Sequence, residues 1–209
     1  MAYTITRLLL SKYLRGRIVD LEGEGNISDT GATLFVSNHV GWHDPALNIF
    51  NLVSHTGYHK VYSLALWPIF KIPGFKQWTA AIPLEKEKSK ALDGAVEKLR
   101  EGANVLIYPE GGVGHTDTIS NAKTGAARLA LLTKCRVVPI GLRRVDQDTV
   151  GTWQKAKEIF TGKIKIRVGR AIDLSQWYGR EVTKELLYEV ADAIMTEVAT
   201  LAEKKYIRS

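Results

Sequence analysis

Residues 32–54 read ATLFVSNHVGWHDPALNIFNLVS and predict a strand, a loop and a helix in succession. The apolar run at 32–38 is typical of a strand. Asp44 and Pro45 are favoured at the cap and at the first position of a helix, so a helix is expected from Asp44 to about Ser54. A strand that leads through a loop into a helix is the unit from which α/β sheets are built.

The same alternation continues along the rest of the chain. Further strands are predicted at 17–23, 60–66, 136–142 and 163–169, and another at 103–110 runs into a loop. Further helices are predicted at 87–101, 121–134 and 183–205, where apolar residues recur at helical spacing. Strands that alternate with helices predict an α/β fold. We expect a single domain over residues 1–209, with a mixed, largely parallel sheet flanked by helices.

The composition fits a folded protein with a basic surface. Of the 209 residues 45% are hydrophobic, which is enough for one sizeable core. The formal charge of +7 favours anionic partners, but no zinc-finger spacing or RNP-type aromatic motif is present, so nucleic acid is not expected. A basic surface that serves only solubility is the alternative. The single cysteine, Cys135, excludes an intrachain disulfide and, beside apolar segments, is a poor candidate nucleophile.

Residues 1–16 have the pattern of a basic amphipathic helix. Three leucines at 8–10 stand among Arg7, Lys12 and Arg15. Such a helix either lies in a membrane interface or packs on the protein core, and the pattern fits both. No window of the chain approaches the roughly 18 consecutive apolar residues of a membrane span.

Two loops that follow predicted strands carry ionisable residues, namely NHVGWHDP at 38–45 and PEGGVGHT at 109–116. In α/β sheets the chemistry is usually found at the carboxyl ends of strands, so we expect the site between these loops. On a continuous helix, His39 and Asp44 would point about 140° apart. A loop that bends at Gly41 would let the two side chains meet.

A histidine that donates one ring nitrogen to a carboxylate has a fixed tautomer and is a stronger base. No Gly-x-Ser-x-Gly elbow supplies an enzyme nucleophile, so His39 and Asp44 predict direct activation of a substrate hydroxyl. Two other interpretations stay open. In the first, Asp44 is only a helix cap and His39 a core histidine. In the second, the chain is a metal-dependent hydrolase, in which both residues bind a metal with His43 and, in a larger set, His115. No metal is expected, because a His-Glu-x-x-His pattern is absent.

Several short motifs follow one another along residues 17–145. NHVGWHD matches a first motif of Asn-His, four residues and Asp, and YPEGGVG matches a third motif of Phe-Pro-Glu-Gly-Thr-Arg-Ser. AAIPLEK at 80–86 is a loose match to a second motif, Gly-x-Ile-x-hydrophobic-x-Arg. NAKTGAARLALL and CRVVPIGL stand where a Phe-Lys-x-Gly helix and a Val-x-Pro-Val strand are expected. In order and spacing, the chain resembles the glycerol-phosphate and lysophosphatidic acid acyltransferases, of the 1-acylglycerol-3-phosphate O-acyltransferase type.

The resemblance implies O-acyl transfer in phospholipid biosynthesis. His39 would take a proton from an acceptor hydroxyl, and Asp44 would orient and stabilise the imidazole. The donor would be an acyl-CoA or acyl-carrier protein, which is a co-substrate, so no cofactor is expected; the acceptor would be a lysophospholipid or a related lipid. Backbone N–H groups of residues 111–114 are hypothetical donors to the oxyanion. The residues implied in substrate binding are Lys86, Glu110, Gly111, Gly112 and His115.

The resemblance also implies a place in the cell. An enzyme of this kind is expected in the cytoplasm, peripheral on the inner face of the cell membrane, with an anionic membrane surface as a partner. The aromatic stretch at 67–78 then lines an acyl-chain channel or lies at the lipid interface; ordinary core is the alternative.

The chain departs from the family pattern at the positions that would bind phosphate. Gly112 and Val113 stand where the third motif has Thr and Arg, and Lys86 replaces the arginine of the second motif. Arginine binds phosphate through a planar fork, whereas lysine is a point charge. The acceptor therefore stays open, and a catalytically silent lipid-binding protein is an alternative. The candidates to compensate are His115, Lys123, Arg143 and Arg144.

Overall fold

The structure of the protein is a computed structural model that describes residues 16–28, 30–41, 44–57, 59–66, 80–84, 88–114, 117–120, 122–145 and 161–208. The strands within these residues are β1 (Ile18–Glu22), β2 (Thr33–Ser37), β3 (Val61–Leu66), β4 (Ala81–Leu84), β5 (Asn104–Ile107), β6 (Thr118–Ser120), β7 (Arg136–Arg144), β8 (Ile164–Val168) and β9 (Lys205–Ile207). The α-helices are α1 (Asp44–His55), α2 (Lys88–Arg100), α3 (Gly125–Thr133) and α4 (Lys184–Leu201).

Seven of these strands form one sheet in the order β1-β8-β7-β2-β5-β3-β4. All neighbouring pairs in it are parallel except β7 with β8, which is antiparallel. β6 and β9 form a separate parallel pair. The mixed, largely parallel sheet predicted from the sequence is therefore confirmed. Every residue of the central strand β2 is buried, as expected for a strand covered on both faces.

The two faces of the sheet carry different helices. Leu34 and Val36 of β2 face the core formed with α2, α3 and α4, whereas Phe35 faces the core formed with α1. Successive side chains of a strand point to opposite faces, so the apolar run of β2 serves both cores. Burying a side chain such as Phe35 contributes roughly 1.5–3 kcal/mol. The sheet is thus anchored to α1 on one side and to three helices on the other.

Several element boundaries differ from the prediction. α3 begins at Gly125 rather than 121, because the Lys123 N–H donates to the carbonyl of Pro109 (3.0 Å) and ties this segment to a loop. α4 ends at Leu201 rather than 205. The chain turns there at Glu203, whose φ of 53° is left-handed, and continues into β9.

Other predictions fall outside the described residues. The N-terminal helix over 1–16 and the aromatic stretch at 67–78 belong to this group, apart from Gly16. Among the helices that the structure describes, none has the length and the apolar content needed to cross a membrane.

The end of α4 packs directly on the backbone of β7 at Gly141. A Cβ added to Gly141 would lie 2.3 Å from both the Ala202 nitrogen and the Leu201 carbonyl carbon. These are backbone atoms, so the contact cannot be relieved by moving a side chain.

Replacing Gly141 with Ala is therefore expected to lower the free energy of unfolding by about 1–3 kcal/mol, the usual cost of overpacking. Urea unfolding followed by circular dichroism measures this change. Gly25→Ala is the matched control, because nothing lies within 4 Å of its added Cβ, and its effect should stay within about 0.5 kcal/mol. Equal stabilities of the two variants would contradict the packing described here.

Candidate active site

The two loops that carry the candidate residues leave the sheet side by side. β2 and β5 are adjacent and parallel, and Val36 pairs with Ile107 near their carboxyl ends. The segment that begins at Asn38 and the segment that begins at Tyr108 therefore emerge at the same edge. This arrangement brings together residues that lie about 70 positions apart in the chain.

Asn38 fixes the direction in which the first loop departs. Its side-chain amide donates to the Leu142 carbonyl (2.9 Å) and accepts from the Leu142 N–H (2.7 Å). The side chain thus continues the hydrogen bonding of β2 with β7 for one residue beyond Ser37, which pairs with Ile140. Asn38 is buried, so these bonds also satisfy an amide that would otherwise be costly to desolvate.

The carboxylate of Asp44 collects three donors from the loop that precedes it. His39 Nδ1 lies 3.0 Å from Oδ2, the Gly41 N–H donates to the same oxygen at 3.0 Å, and the Val40 N–H donates there as well. The Asp44 N–H in turn reaches the Gly41 carbonyl at 3.3 Å and closes the bend. Asp44 is completely buried, so this set of donors stabilises a charge that water does not reach.

The interpretation of Asp44 as only a helix cap is wrong. Asp44 is the first residue of α1, but among the described residues its carboxylate accepts no hydrogen bond from the N–H groups of the helix. The carboxylate instead accepts hydrogen bonds from residues 39–41.

The contact with Asp44 determines which nitrogen of His39 is available to a substrate. An ionised carboxylate can only accept, so Nδ1 carries the proton and Nε2 is left with its lone pair. Nε2 makes no hydrogen bond to the described residues, and the side chain keeps 17% of its surface exposed. Asp44 therefore holds the imidazole at Nδ1, and the side chain is not fully enclosed.

Burial is the largest single influence on the pKa of His39, and it lowers that pKa. The hydrogen bond from His39 to Asp44, the negative charge of Asp44 and that of Glu110 act in the opposite direction and together raise the pKa above its ordinary value. The imidazole is thus a stronger base than a free histidine.

Tyr108 supports the imidazole ring from the second loop. The two ring centroids are 4.8 Å apart and the planes are tilted by 35°. The Tyr108 hydroxyl accepts from the Asn48 amide (3.4 Å), which also donates to Ser37 (3.2 Å). Burial, and then the charge of Asp44, hold the pKa of Tyr108 well above its usual range, so the phenol stays neutral. The sequence motifs assign no role to these supporting residues; the one sequence signal for them is a polar residue, Asn48, four residues after Asp44.

Glu110 joins the two loops. Its Oε1 accepts from the His39 N–H at 2.8 Å, and the Gly114 N–H donates to the His39 carbonyl at 2.7 Å. A Cβ at Gly114 would lie 2.8 Å from the second carboxylate oxygen and 3.3 Å from the His39 carbonyl oxygen, so a side chain there would displace the Glu110 carboxylate. Burial raises the pKa of Glu110, and the His39 N–H and the positive charge of Lys204 oppose that rise.

The glycine-rich loop offers fewer oxyanion donors than predicted. The N–H of Gly111 donates to the Tyr108 carbonyl (3.1 Å), and that of Gly114 is taken by His39. Among the described residues, the N–H groups of Gly112 and Val113 make no hydrogen bond. The hypothesis for residues 111–114 is therefore narrowed to these two groups.

The structure describes only some of the remaining candidate residues. Lys86, His43 and His115 lie outside the described residues. Lys123 reaches back over Gly111, since a Cβ there would lie 2.0 Å from its Nζ, whereas Arg143 is in an ion pair with Glu203.

The part of the chain that the structure describes supports neither a metal site nor a reactive cysteine. No group of three His, Cys, Asp or Glu side chains there is arranged to hold a metal ion. Burial raises the pKa of the Cys135 thiol, which keeps this cysteine protonated and unreactive.

Replacing Asp44 with Asn should destabilise the fold. The amide has no charge, so the three donors on Oδ2 lose a charged acceptor, and the free energy of unfolding should fall by about 1.5–3 kcal/mol, the value of a hydrogen bond to a charged group. Urea unfolding at neutral pH measures it. Asp93→Asn, at an exposed position of α2, is the matched control and should change stability by less than about 0.5 kcal/mol. If Asp44→Asn were as stable as the control, the three donors would not be held by a charge.

Comparison with known proteins identifies the scaffold. The structure is similar to the crystal structure of the 1-acyl-sn-glycerophosphate acyltransferase PlsC from Thermotoga maritima, with a TM-score of 0.66 and 22% sequence identity. The similarity covers 93% of this chain and 79% of that one, and it shows a common fold. The model of the Acyltransferase family matches residues 18–143, well over half of the chain, and this range contains both loops of the site. The protein is therefore an acyltransferase and belongs to the Acyltransferase family.

Proposed function

We propose that this acyltransferase moves a fatty acyl group from an acyl thioester to a hydroxyl of a lysophospholipid or related lipid in phospholipid biosynthesis. The observation that carries the proposal is the His39 imidazole, which buried Asp44 holds through Nδ1 and whose Nε2 makes no hydrogen bond to the described residues. The fold shared with a 1-acyl-sn-glycerophosphate acyltransferase supports an acceptor of the lysophospholipid class.

In this proposal His39 is a general base. Nε2 takes the proton of the acceptor hydroxyl as its oxygen forms a bond to the thioester carbonyl carbon. The tetrahedral intermediate then collapses, the C–S bond breaks, and the thiol leaves with the proton that the imidazolium returns. Asp44 stabilises the imidazolium between these two steps. General-base help of this kind contributes about 10²–10⁴-fold to the rate.

The negative charge that develops on the carbonyl oxygen needs donors. The N–H groups of Gly112 and Val113 are the candidates, because they are not used inside the described structure. Loss of one such donor typically lowers kcat about 10²–10³-fold. Gly112 and Val113 replace bulkier and charged residues of the family motif, so in this chain the loop would act through its backbone.

The charge of the chain supports the proposed classes of donor and the proposed location. Acyl-CoA and acyl-carrier protein are both anionic, and a chain of formal charge +7 suits either. The same charge favours an anionic membrane surface, so we place the enzyme on the inner face of the cell membrane as a peripheral protein. The lipid acceptor would be met there.

Replacing His39 with Ala should lower thioester consumption by about 10²–10⁴-fold, because the general base is lost. Release of free thiol from a long-chain acyl thioester, with mixed lysolipids as acceptors, measures the rate. His59→Ala is the matched control: His59 is exposed and precedes β3, at the edge of the sheet opposite the two loops, and its removal should leave the rate unchanged.

Two results would contradict this proposal. Full turnover by the His39→Ala variant would show that His39 is not the general base. Lipid binding without any thiol release by the unaltered protein would favour a silent lipid-binding protein.

The pH dependence of kcat/KM should report the raised pKa of His39. The base works only when neutral, so the rate should fall as the pH drops through that pKa, and the midpoint of this fall should lie above about 6.5, the value of an unperturbed histidine. Initial rates between pH 5 and 9 measure it. A midpoint at or below the ordinary value would show that Asp44 and Glu110 do not outweigh burial.

A further inference from the structure

The side chain of Lys123 lies along the glycine-rich loop of the site. Its backbone is tied to that loop, because the Lys123 N–H donates to the Pro109 carbonyl at 3.0 Å. A Cβ built on Gly111 would come within 3.2 Å of Lys123 Cδ, within 2.9 Å of Cε and closer still to Nζ. The stem and the ammonium of the lysine therefore lie against the bare backbone of Gly111. This glycine directly follows Glu110, whose carboxylate accepts from the His39 N–H.

The ammonium of Lys123 has no counter-charge in the part of the chain that the structure describes. No described side chain forms an ion pair or a hydrogen bond with it. The carboxylate of Glu110 is engaged elsewhere, since one oxygen accepts from the His39 N–H at 2.8 Å and the other lies against Gly114. Lys123 is also exposed, so its charge can be reached by a ligand.

Lys123 differs in this respect from the other basic side chains that could replace the missing arginines. Arg143 is in an ion pair with Glu203. Arg144 likewise has a partner, and His115 lies outside the described residues. Among the described candidates, the structure thus brings Lys123 to the loop with its charge uncompensated.

We propose that Lys123 binds a phosphate group of a substrate and is therefore a specificity-determining residue. This inference rests on the proposed function, whose substrates fix the nature of the anion. A lysophospholipid carries a phosphate in its head group, and both CoA and acyl-carrier protein carry phosphate on the pantetheine arm. A lysine ammonium offers a phosphate oxygen three donors and a point charge.

The test measures binding by calorimetry to the substrate-free full chain. One probe is a soluble short-chain lysophosphatidate, compared with the monoacylglycerol of the same chain; the other is CoA, compared with pantetheine. Lys123→Met should weaken binding of at least one phosphate-bearing probe about 10- to 100-fold, the effect of losing a hydrogen bond between charged groups, and should leave both phosphate-free counterparts unchanged. Lys123→Arg should retain most of the affinity. The probe that is weakened shows whether the phosphate belongs to the acceptor or to the donor.

Lys184→Met is the matched control, because Lys184 is an exposed lysine at the end of α4 away from Gly141 and the two loops. It should bind every probe as the unaltered protein does.

The same variants should separate binding from chemistry. Lys123→Met should raise the KM of the substrate whose phosphate it binds by the same factor and leave kcat nearly unchanged, whereas His39→Ala lowers kcat. Unaltered affinity of Lys123→Met for both phosphate-bearing probes would overturn the inference. An equal loss with the phosphate-free counterparts or in Lys184→Met would also overturn it, as would an unaltered protein that does not prefer the phosphate-bearing probes. Calorimetry needs no turnover, so its failure is distinct from a failure of His39→Ala to slow the reaction.

Discussion

The site depends on one buried carboxylate. Asp44 is removed from water and therefore has to find donors within the protein. It finds them in the imidazole of His39 and in the N–H groups of Val40 and Gly41, all of which belong to the loop just before it. The same three bonds shape the loop and select the tautomer of His39. A single electrostatic requirement thus connects the fold of the loop with its chemistry.

The parallel pairing of β2 with β5 supplies the second half of the site. Because the strands are adjacent, the Tyr108 ring lies against His39 and the Glu110 carboxylate reaches its backbone. His39 is consequently held at its ring by Tyr108, at Nδ1 by Asp44 and at its backbone by Glu110. Such fixation lowers the entropy that has to be lost when an acceptor hydroxyl meets Nε2.

The alternation of strands and helices could be predicted because each long element has its own period of apolar residues. The contact of His39 with Asp44 could be anticipated from local geometry. On a helix an offset of five residues would point the two side chains apart, so they could meet only through a bent loop. Contacts across long separations could not be anticipated. Asn38 reaches Leu142 only through the packing of the whole sheet. β6 and β9 are three residues each, too short for any period to appear.

The central claim is that Asp44 holds His39 with Nδ1 protonated and Nε2 open. Nitrogen-15 NMR of the imidazole, recorded above the pKa of His39, distinguishes the two tautomers directly. The account predicts that Nδ1 carries the proton and that Nε2 has the shift of an unprotonated nitrogen. A proton on Nε2, or the averaged shifts of a ring that exchanges freely between tautomers, would contradict it.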